Sequence, residues 1–525
     1  MGVSAPAPAT TSGAYRRETL TVAALLLLSV LYFLPFIRVL HRVGDEGTIA
    51  YGAQRVLEGA VPYRDFLEIM GPGSFYWLAF FFKIFGDTWQ VSRLCLLVTG
   101  VASTLLVYWI ARQFLSARLA LLPWFFCVAL SIPLWPAPNH HWDSNLFALC
   151  AVACFLQYER RQRDVFLFAG GILAGATSCF LQQKGAYLLL AFAVILLIGR
   201  VRILRSISVL LAGYLSAGAV VMFLFYRAGA FAQLIRCTLL WPLFGYKALN
   251  AGIYFKSLAV AVDSGSLFFR AFPFDLAILC QALCFLPFLL LIALPLVPAG
   301  SGIIAACKPG YRAALWSAGS LTLTLSGLGI WLSEMHRKDV YHLAFGAPLL
   351  AIGFVQLVQA VCAKRTRRAI LAAMTAALLL VAIGNLWNTR KAYRIETRRG
   401  PVMDAVQDDA LSFLSTEIPK RDWVFVYPYY PMYYYLADLR NPTRFSILLH
   451  HYNTPEHFEE VIRDLESKHV QFVLWDTLVD GANLSTWFAG YTQPARNQLK
   501  LEQYLNKSFT LVCIKNGFRV LRRKE

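Results

Sequence analysis

Between residues 20 and 387, apolar runs long enough to cross a bilayer alternate with short polar breaks. They fall near 20–38, 92–111, 118–135, 145–158, 165–182, 186–199, 206–226, 275–298, 313–332, 341–361 and 369–387. Runs of this length and continuity exceed what a soluble core helix carries and are read as membrane-spanning helices. The pattern predicts about eleven spans. Residues 74–86 are also apolar, but the run is short and ends in Lys83 and Gly86, which predicts an interfacial helix.

The pattern changes beyond residue 388. Arg390, Lys391, Arg394, Arg398 and Arg399 open a segment of soluble character. Within it, 423–427 and 472–475 read as short buried strands. Thr454 and Pro455 supply the cap and first position of a helix that reaches Lys468. A second helix is expected over 495–505, then a hairpin of 509–514 and 518–521 turning at Asn516-Gly517. Strands alternating with helices predict a small α/β domain. Three regions follow: a disordered tail at 1–19, a membrane domain at 20–387 whose first long polar segment is 39–91, and an α/β domain at 388–525.

Composition agrees with the pattern. Of 525 residues, 58% are apolar and 15% charged, against roughly 25% charged in an average soluble domain. The formal charge of +19 does not call for a nucleic-acid partner, because the basic residues fall in alternate loops. Arg16 and Arg17 precede the first run. Arg112, Arg118, Arg160, Arg161, Arg163, Arg200, Arg202, Arg205, Lys308, Arg312, Lys364, Arg365, Arg367 and Arg368 fall in every second break. This is the positive-inside distribution. It places the N-terminus in the cytoplasm and, with an odd number of spans, the α/β domain outside. The eleven cysteines lie mostly within apolar runs and show no CxxC, which points to packing rather than to disulfides or metal.

Candidate chemistry gathers in the segments assigned to the outer face. Asp45-Glu46 closely follows the first run. Then come Gly59-Ala60-Val61-Pro62-Tyr63-Arg64-Asp65-Phe66, Gly71-Pro72-Gly73 before aromatics, and Phe85-Gly86 ahead of Arg93. Carboxylates beside a spanning helix cost about 2.5–3.5 kcal/mol each when drawn into the bilayer, so their retention points to use; a polar flank where the membrane ends is the plain alternative. Neighbours on a helix diverge by about 100°, so the two cannot serve the same role.

In order and spacing, these motifs resemble the GT-C superfamily of glycosyltransferases. The group concerned contains the protein O-mannosyltransferases, the lipid A aminoarabinose transferases and the Rgt-type lipopolysaccharide glycosyltransferases. The resemblance implies a polytopic GT-C fold and an integral enzyme of a bacterial inner or plasma membrane. It implies a polyprenyl-phosphate-linked sugar as donor and a hydroxyl-bearing glycan, lipid or protein as acceptor. It also implies inversion at the anomeric carbon, and no metal or other cofactor. Asp45 takes the place of the catalytic aspartate, and Glu46 completes the catalytic pair by supporting the fold of the loop or pairing with a base such as Arg55 or Arg64. The chain departs from the group at Ile69-Met70-Gly71-Pro72-Gly73, where relatives carry a basic residue before Pro-Pro. Donor phosphate binding therefore has to come from elsewhere: Arg64, Lys184 in Gln182-Gln183-Lys184-Gly185, and Arg337 and His342 in His336-Arg337-Lys338-Asp339-Val340-Tyr341-His342.

Asp143 and His141, in His140-His141-Trp142-Asp143, form a second polar loop. Acceptor contact, helix capping by Asp143 or Ser144, and a metal site with His140 and Asp45 are the readings open there. Lys184 can be a phosphate ligand or a lysine snorkelling to the interface. Tyr427–Tyr435 reads as core or belt, or as a sugar-stacking surface. A transporter or flippase suits many spans but is expected to show internal repeats and mid-membrane charges. A non-catalytic GT-C-like subunit is the third class.

Overall fold

Each apolar run corresponds to a helix or a pair of helices. The computed structural model describes residues 12–41, 44–199, 202–244, 276–296, 318–337, 339–389, 392–484 and 491–525. The helices that take up these runs are α1 (Ser12–Ile37), α4 (Trp89–Arg112), α5 (Ala117–Leu130), α6 (His140–Arg161), α7 (Asp164–Phe180), α8 (Gln182–Gly199) and α9 (Ile203–Arg227). The series continues with α11 (Leu276–Leu296), α12 (Ala318–Glu334), the pair α13 (Val340–Gly346) and α14 (Pro348–Val361), and α15 (Lys364–Asn388). Between α1 and α4 lie α2 (Gly44–Leu57) and α3 (Gly73–Phe85), and α10 (Phe231–Phe244) follows α9.

Among the described residues, five helices are long and apolar enough to cross a membrane alone, and α13 with α14 makes a sixth span bent by 68°. The bend sits at Pro348, whose missing N–H cannot continue the ladder of α13. At 14 residues, α5 is only about 21 Å long and falls short of a 30 Å hydrocarbon core. The tail expected over 1–19 is already helical from Ser12, and its first eleven residues lie outside the described ones.

Small residues set the closest helix contacts. A Cβ on Gly171 would stand 2.3 Å from Leu210 O, one on Gly213 2.3 Å from Phe168 O, and one on Gly175 2.5 Å from Tyr214 O. The backbones of α7 and α9 thus touch, as in small-residue packing of membrane helices. The ends of the bundle differ. One end carries Arg112 paired with Glu18, Arg160 on Gln113 and Arg205 with Asp164. The other carries α2, α3 and the C-terminal domain.

That domain holds a small hairpin, β1 (Tyr393–Ile395) and β2 (Val402–Asp404), and a four-stranded sheet of order β3-β4-β6-β5. Here β3 (Val424–Tyr427) and β4 (Phe472–Asp476) are parallel, with Val424 opposite Phe472. β5 (Phe509–Lys515) and β6 (Phe518–Arg523) form the closing hairpin. Its turn residues Asn516 and Gly517 both have positive φ, 50° and 82°, as a two-residue primed turn demands. Helices α16 (Asp409–Thr416), α17 (Pro431–Leu436), α18 (Pro455–Ser467) and α19 (Lys500–Ser508) complete it. Thr454 caps α18 in a reciprocal box with His457. One apolar cluster joins Ile49, Ala50 and Tyr51 of α2 and Phe75 and Leu78 of α3 to Met432–Leu436 of α17. The domain is therefore seated on α2 and α3.

Candidate functional site

Two glycines bring the acidic pair against the C-terminal domain. A Cβ on Gly44 would lie 2.2 Å from Tyr429 Cζ, and one on Gly47 2.2 Å from Met432 N. Only glycine lets α2 meet α17 this closely. The flanked residues then diverge, as their 100° separation requires.

Glu46 turns inward. It is buried, ion-paired with Arg93 of α4, and accepts the His41 N–H at 3.2 Å. Arg93 lies 3.6 Å from the Trp89 ring centroid and donates to Pro136 O at 2.5 Å. The partner of Glu46 is thus Arg93, not Arg55 or Arg64. Those two brace their own loop: Arg55 donates to Asp65 O at 2.7 Å, while Arg64 pairs with Asp65 at 2.8 Å and donates to Ala228 O at 2.6 Å. Arg64, expected as a donor-phosphate ligand, has its fork on Asp65.

Asp45 turns the other way and stays half-buried. The Tyr429 phenol donates to its Oδ1 at 3.1 Å. Burial pushes the Tyr429 hydroxyl well above the usual phenol range; Asp45 reinforces this and the Arg337 charge opposes it. A third carboxyl is present: Glu68 is buried, and burial pushes it up to about 8. The Ser446 hydroxyl and Arg55 oppose that rise, while Asp45 adds to it. Near neutral pH, Glu68 is therefore largely protonated beside Asp45.

A second cluster lies at the same end of the bundle. Lys184 Nζ meets Glu334 Oε1 at 2.7 Å and Asn145 Oδ1 at 2.6 Å. His141 Nδ1 meets Glu334 Oε2 at 2.8 Å, and His342 Nδ1 meets Asp339 Oδ1 at 2.8 Å. Lys184, Glu334, His141 and His342 are all buried. Lys184, expected to present its charge to a phosphate, has its ammonium held inside the bundle by Glu334 and Asn145. Gly185 serves packing, since a Cβ there would stand 2.1 Å from Ser178 Oγ. His342 is tied to Asp339, which also caps α13 by accepting the Tyr341 and His342 N–H groups. Arg337 stays near the surface, its side chain 42% exposed and 3.6 Å from Asp339.

Asp143 joins neither cluster. It accepts from Ser74 Oγ at 2.6 Å and so fastens α6 to the start of α3. The cap of α6 is Asn139, which accepts the Trp142 N–H at 2.8 Å, and not Asp143 or Ser144. The metal set of His140, His141, Asp143 and Asp45 is not assembled, because Asp143 faces Ser74 and His141 faces Glu334. Gly71 and Gly73 press against Cys179 O, where a Cβ would come within 2.2 and 2.9 Å, so the Pro/Gly element is a wedge under α7. Met432–Leu436 are core, and of the tyrosine run it is Tyr429 that reaches Asp45. Sequence reasoning missed Glu68, Tyr429 and Glu334. The last carried a usable signal: a lone acid at the end of an apolar run needs a partner.

Residues 70–226 match the family model described as dolichyl-phosphate-mannose-protein mannosyltransferase. Comparison with curated proteins gives no match. Among solved structures, ArnT from Cupriavidus metallidurans in the apo state superposes with a TM-score of 0.55 at 13% identity, over 96% of this chain and 98% of that one. ArnT bound to undecaprenyl phosphate gives 0.53 at 12%, over 96% and 97%. The Archaeoglobus fulgidus oligosaccharyltransferase in the apo form gives 0.52 at 13%, over 92% of this chain and 72% of that one. The fold is accordingly the GT-C architecture, helical in the membrane with a small C-terminal sheet domain.

Proposed function

We propose that this chain is an integral membrane glycosyltransferase that moves a sugar from a polyprenyl-phosphate carrier to a hydroxyl acceptor with inversion, at the extracytoplasmic face of a bacterial inner or plasma membrane. The observation that carries the reading is the half-buried Asp45 carboxylate, held within this fold by the Tyr429 phenol, on which the Arg337 charge also acts. The acceptor oxygen attacks the anomeric carbon while the bond to the carrier phosphate breaks on the opposite side. The acceptor proton passes to Asp45, acting as general base. Tyr429 steadies Oδ1 and leaves the other oxygen to take the proton. Arg337 faces the negative charge that develops on the departing phosphate, a role suited to its fork of N–H donors.

Glu46 supports Asp45 indirectly by fixing α2 to α4 through Arg93. Asp143 and Lys184 hold the helices that frame the site, and His342 anchors the turn that carries Arg337. The acceptor is a glycan, lipid or protein bearing a free hydroxyl. The test is transfer by the purified protein in lipid from a synthetic polyprenyl-phosphate sugar, with the anomeric configuration of the product read by NMR. Inverted product supports the reading. Retained configuration, or transfer only from a nucleotide sugar, overturns it.

A further inference from the structure

Nine histidines occur in the chain, and four of them (His140, His141, His336 and His342) gather in one cluster around Glu334. The ligand-type atoms of His141, Glu334 and His342 all lie within 4.8 Å of one another, and all three residues are buried. We infer that this cluster binds one divalent transition metal ion of the zinc class, at a centre separate from Asp45, and that the ion pins the turn carrying Arg337.

The tautomers favour a metal. His342 donates Nδ1–H to Asp339 Oδ1 at 2.8 Å, which leaves its Nε2 lone pair for coordination. His336 sits with its ring centroid 5.1 Å from that of His342, and its Nδ1–H donates to Ser333 O at 3.1 Å, again leaving Nε2. An imidazole whose far nitrogen is held by a carboxylate or carbonyl is the usual arrangement around metal-binding histidines. Ligating carboxylates are commonly hydrogen-bonded as well. Here Lys184 holds Glu334 Oε1 at 2.7 Å and is itself held by Asn145, so Oε2 is directed to the cluster.

His141 Nδ1 and Glu334 Oε2 stand 2.8 Å apart, at ion-pair distance. A tetrahedral ion with bonds of about 2.0–2.1 Å separates two ligand atoms by about 3.3 Å. The metal would widen that contact by about half an ångström and draw in ligand atoms that now lie within 4.8 Å of one another. Two imidazoles and a carboxylate suit zinc, which then keeps one position beyond these three ligands. The ion would join α6, α12 and α13 and so fix Arg337 between two of its ligands. This consequence for Arg337 rests on the function proposed above; the metal centre does not.

The test uses the full chain, tag-free, purified in detergent without chelator. Elemental analysis should find about one zinc-class ion per chain. Chelation should lower the melting temperature, and added Zn²⁺ should restore it. Co²⁺ added to the stripped protein should produce the visible absorption of a four-coordinate site. His141→Gln and His342→Gln should each abolish the Co²⁺ band, whereas His451→Gln, in the C-terminal domain, should keep it. Stripped wild-type protein that is folded but gives no Co²⁺ band and no Zn²⁺-dependent rise in melting temperature would overturn the inference. So would a band that survives both substitutions. Neither readout uses a sugar donor, so failure here and failure of the transferase reading are separable.

Discussion

Two carboxylate clusters share one end of this bundle, and they are built on opposite principles. Around Glu334 both carboxylate oxygens are engaged inside the protein, by Lys184 and by His141. Such a group costs several kcal/mol to desolvate and remains only because its partners are complete. Around Asp45 the carboxylate is half-buried, meets a neutral phenol at 3.1 Å, and has a largely protonated Glu68 nearby. The first arrangement fixes helices. The second leaves the carboxylate free for the role of base proposed for it. Glu46 makes the same point within one helical step, since its carboxylate is committed to Arg93 while its neighbour's faces the site.

The difference should be largest in stability. Glu334→Gln breaks a buried pair and leaves the Lys184 ammonium uncompensated, with an expected loss of about 3–5 kcal/mol by thermal or denaturant unfolding. Stability equal to wild type would show that the Glu334 cluster is not the fastening it is taken to be.

Glu68 should make stability depend on pH. Its carboxyl titrates near 8 in the folded chain against an ordinary 4.5, so the folded state binds the extra proton between those values. Stability present below pH 4.5 is lost as pH rises towards 8. The slope over that window is at most about 1.4 kcal/mol for each pH step of one. Glu68→Gln should flatten that part of the unfolding profile. An unchanged profile would place the carboxyl in water and remove it from the comparison.

Arg337→Lys keeps the charge and loses the fork, so transfer should fall about tenfold with the melting temperature unmoved, the scale of one charge-assisted hydrogen bond. Full activity would take the phosphate role away from Arg337. Tyr429→Phe removes a single hydrogen bond to Asp45 and should reduce transfer only a few-fold, consistent with about 0.5–1.5 kcal/mol. A loss as large as that of an Asp45 substitution would make the phenol a participant in the proton transfer.

What could be seen in the sequence was what is encoded locally. The apolar runs, the Thr454-Pro455 cap and the Asn516-Gly517 turn each specify their structure within a few residues, and among the described residues they form helices, a cap and a turn at those places, though only five or six of the helices have the length and apolarity of a span. Asp45 stood out because it follows a spanning run. The partners did not, because they are distant in the chain: Lys184 meets Glu334 across 150 residues, and Tyr429 meets Asp45 across 384. Charge alone could not choose among Arg55, Arg64 and Arg93 for Glu46. The choice depends on the packing of α2 against α4, which no local pattern records. Lys184 looked like a phosphate ligand because the buried acid facing it lies one hundred and fifty residues further on.

The central claim, that Asp45 is the base, is tested most directly by Asp45→Asn. Asparagine keeps the size and can still accept from Tyr429, but it cannot take the acceptor proton. Sugar transfer from a polyprenyl-phosphate donor by the purified variant in lipid should fall about 10²–10⁴-fold, with the melting temperature of the wild type. Transfer near the wild-type rate by a folded Asp45→Asn protein would contradict the account.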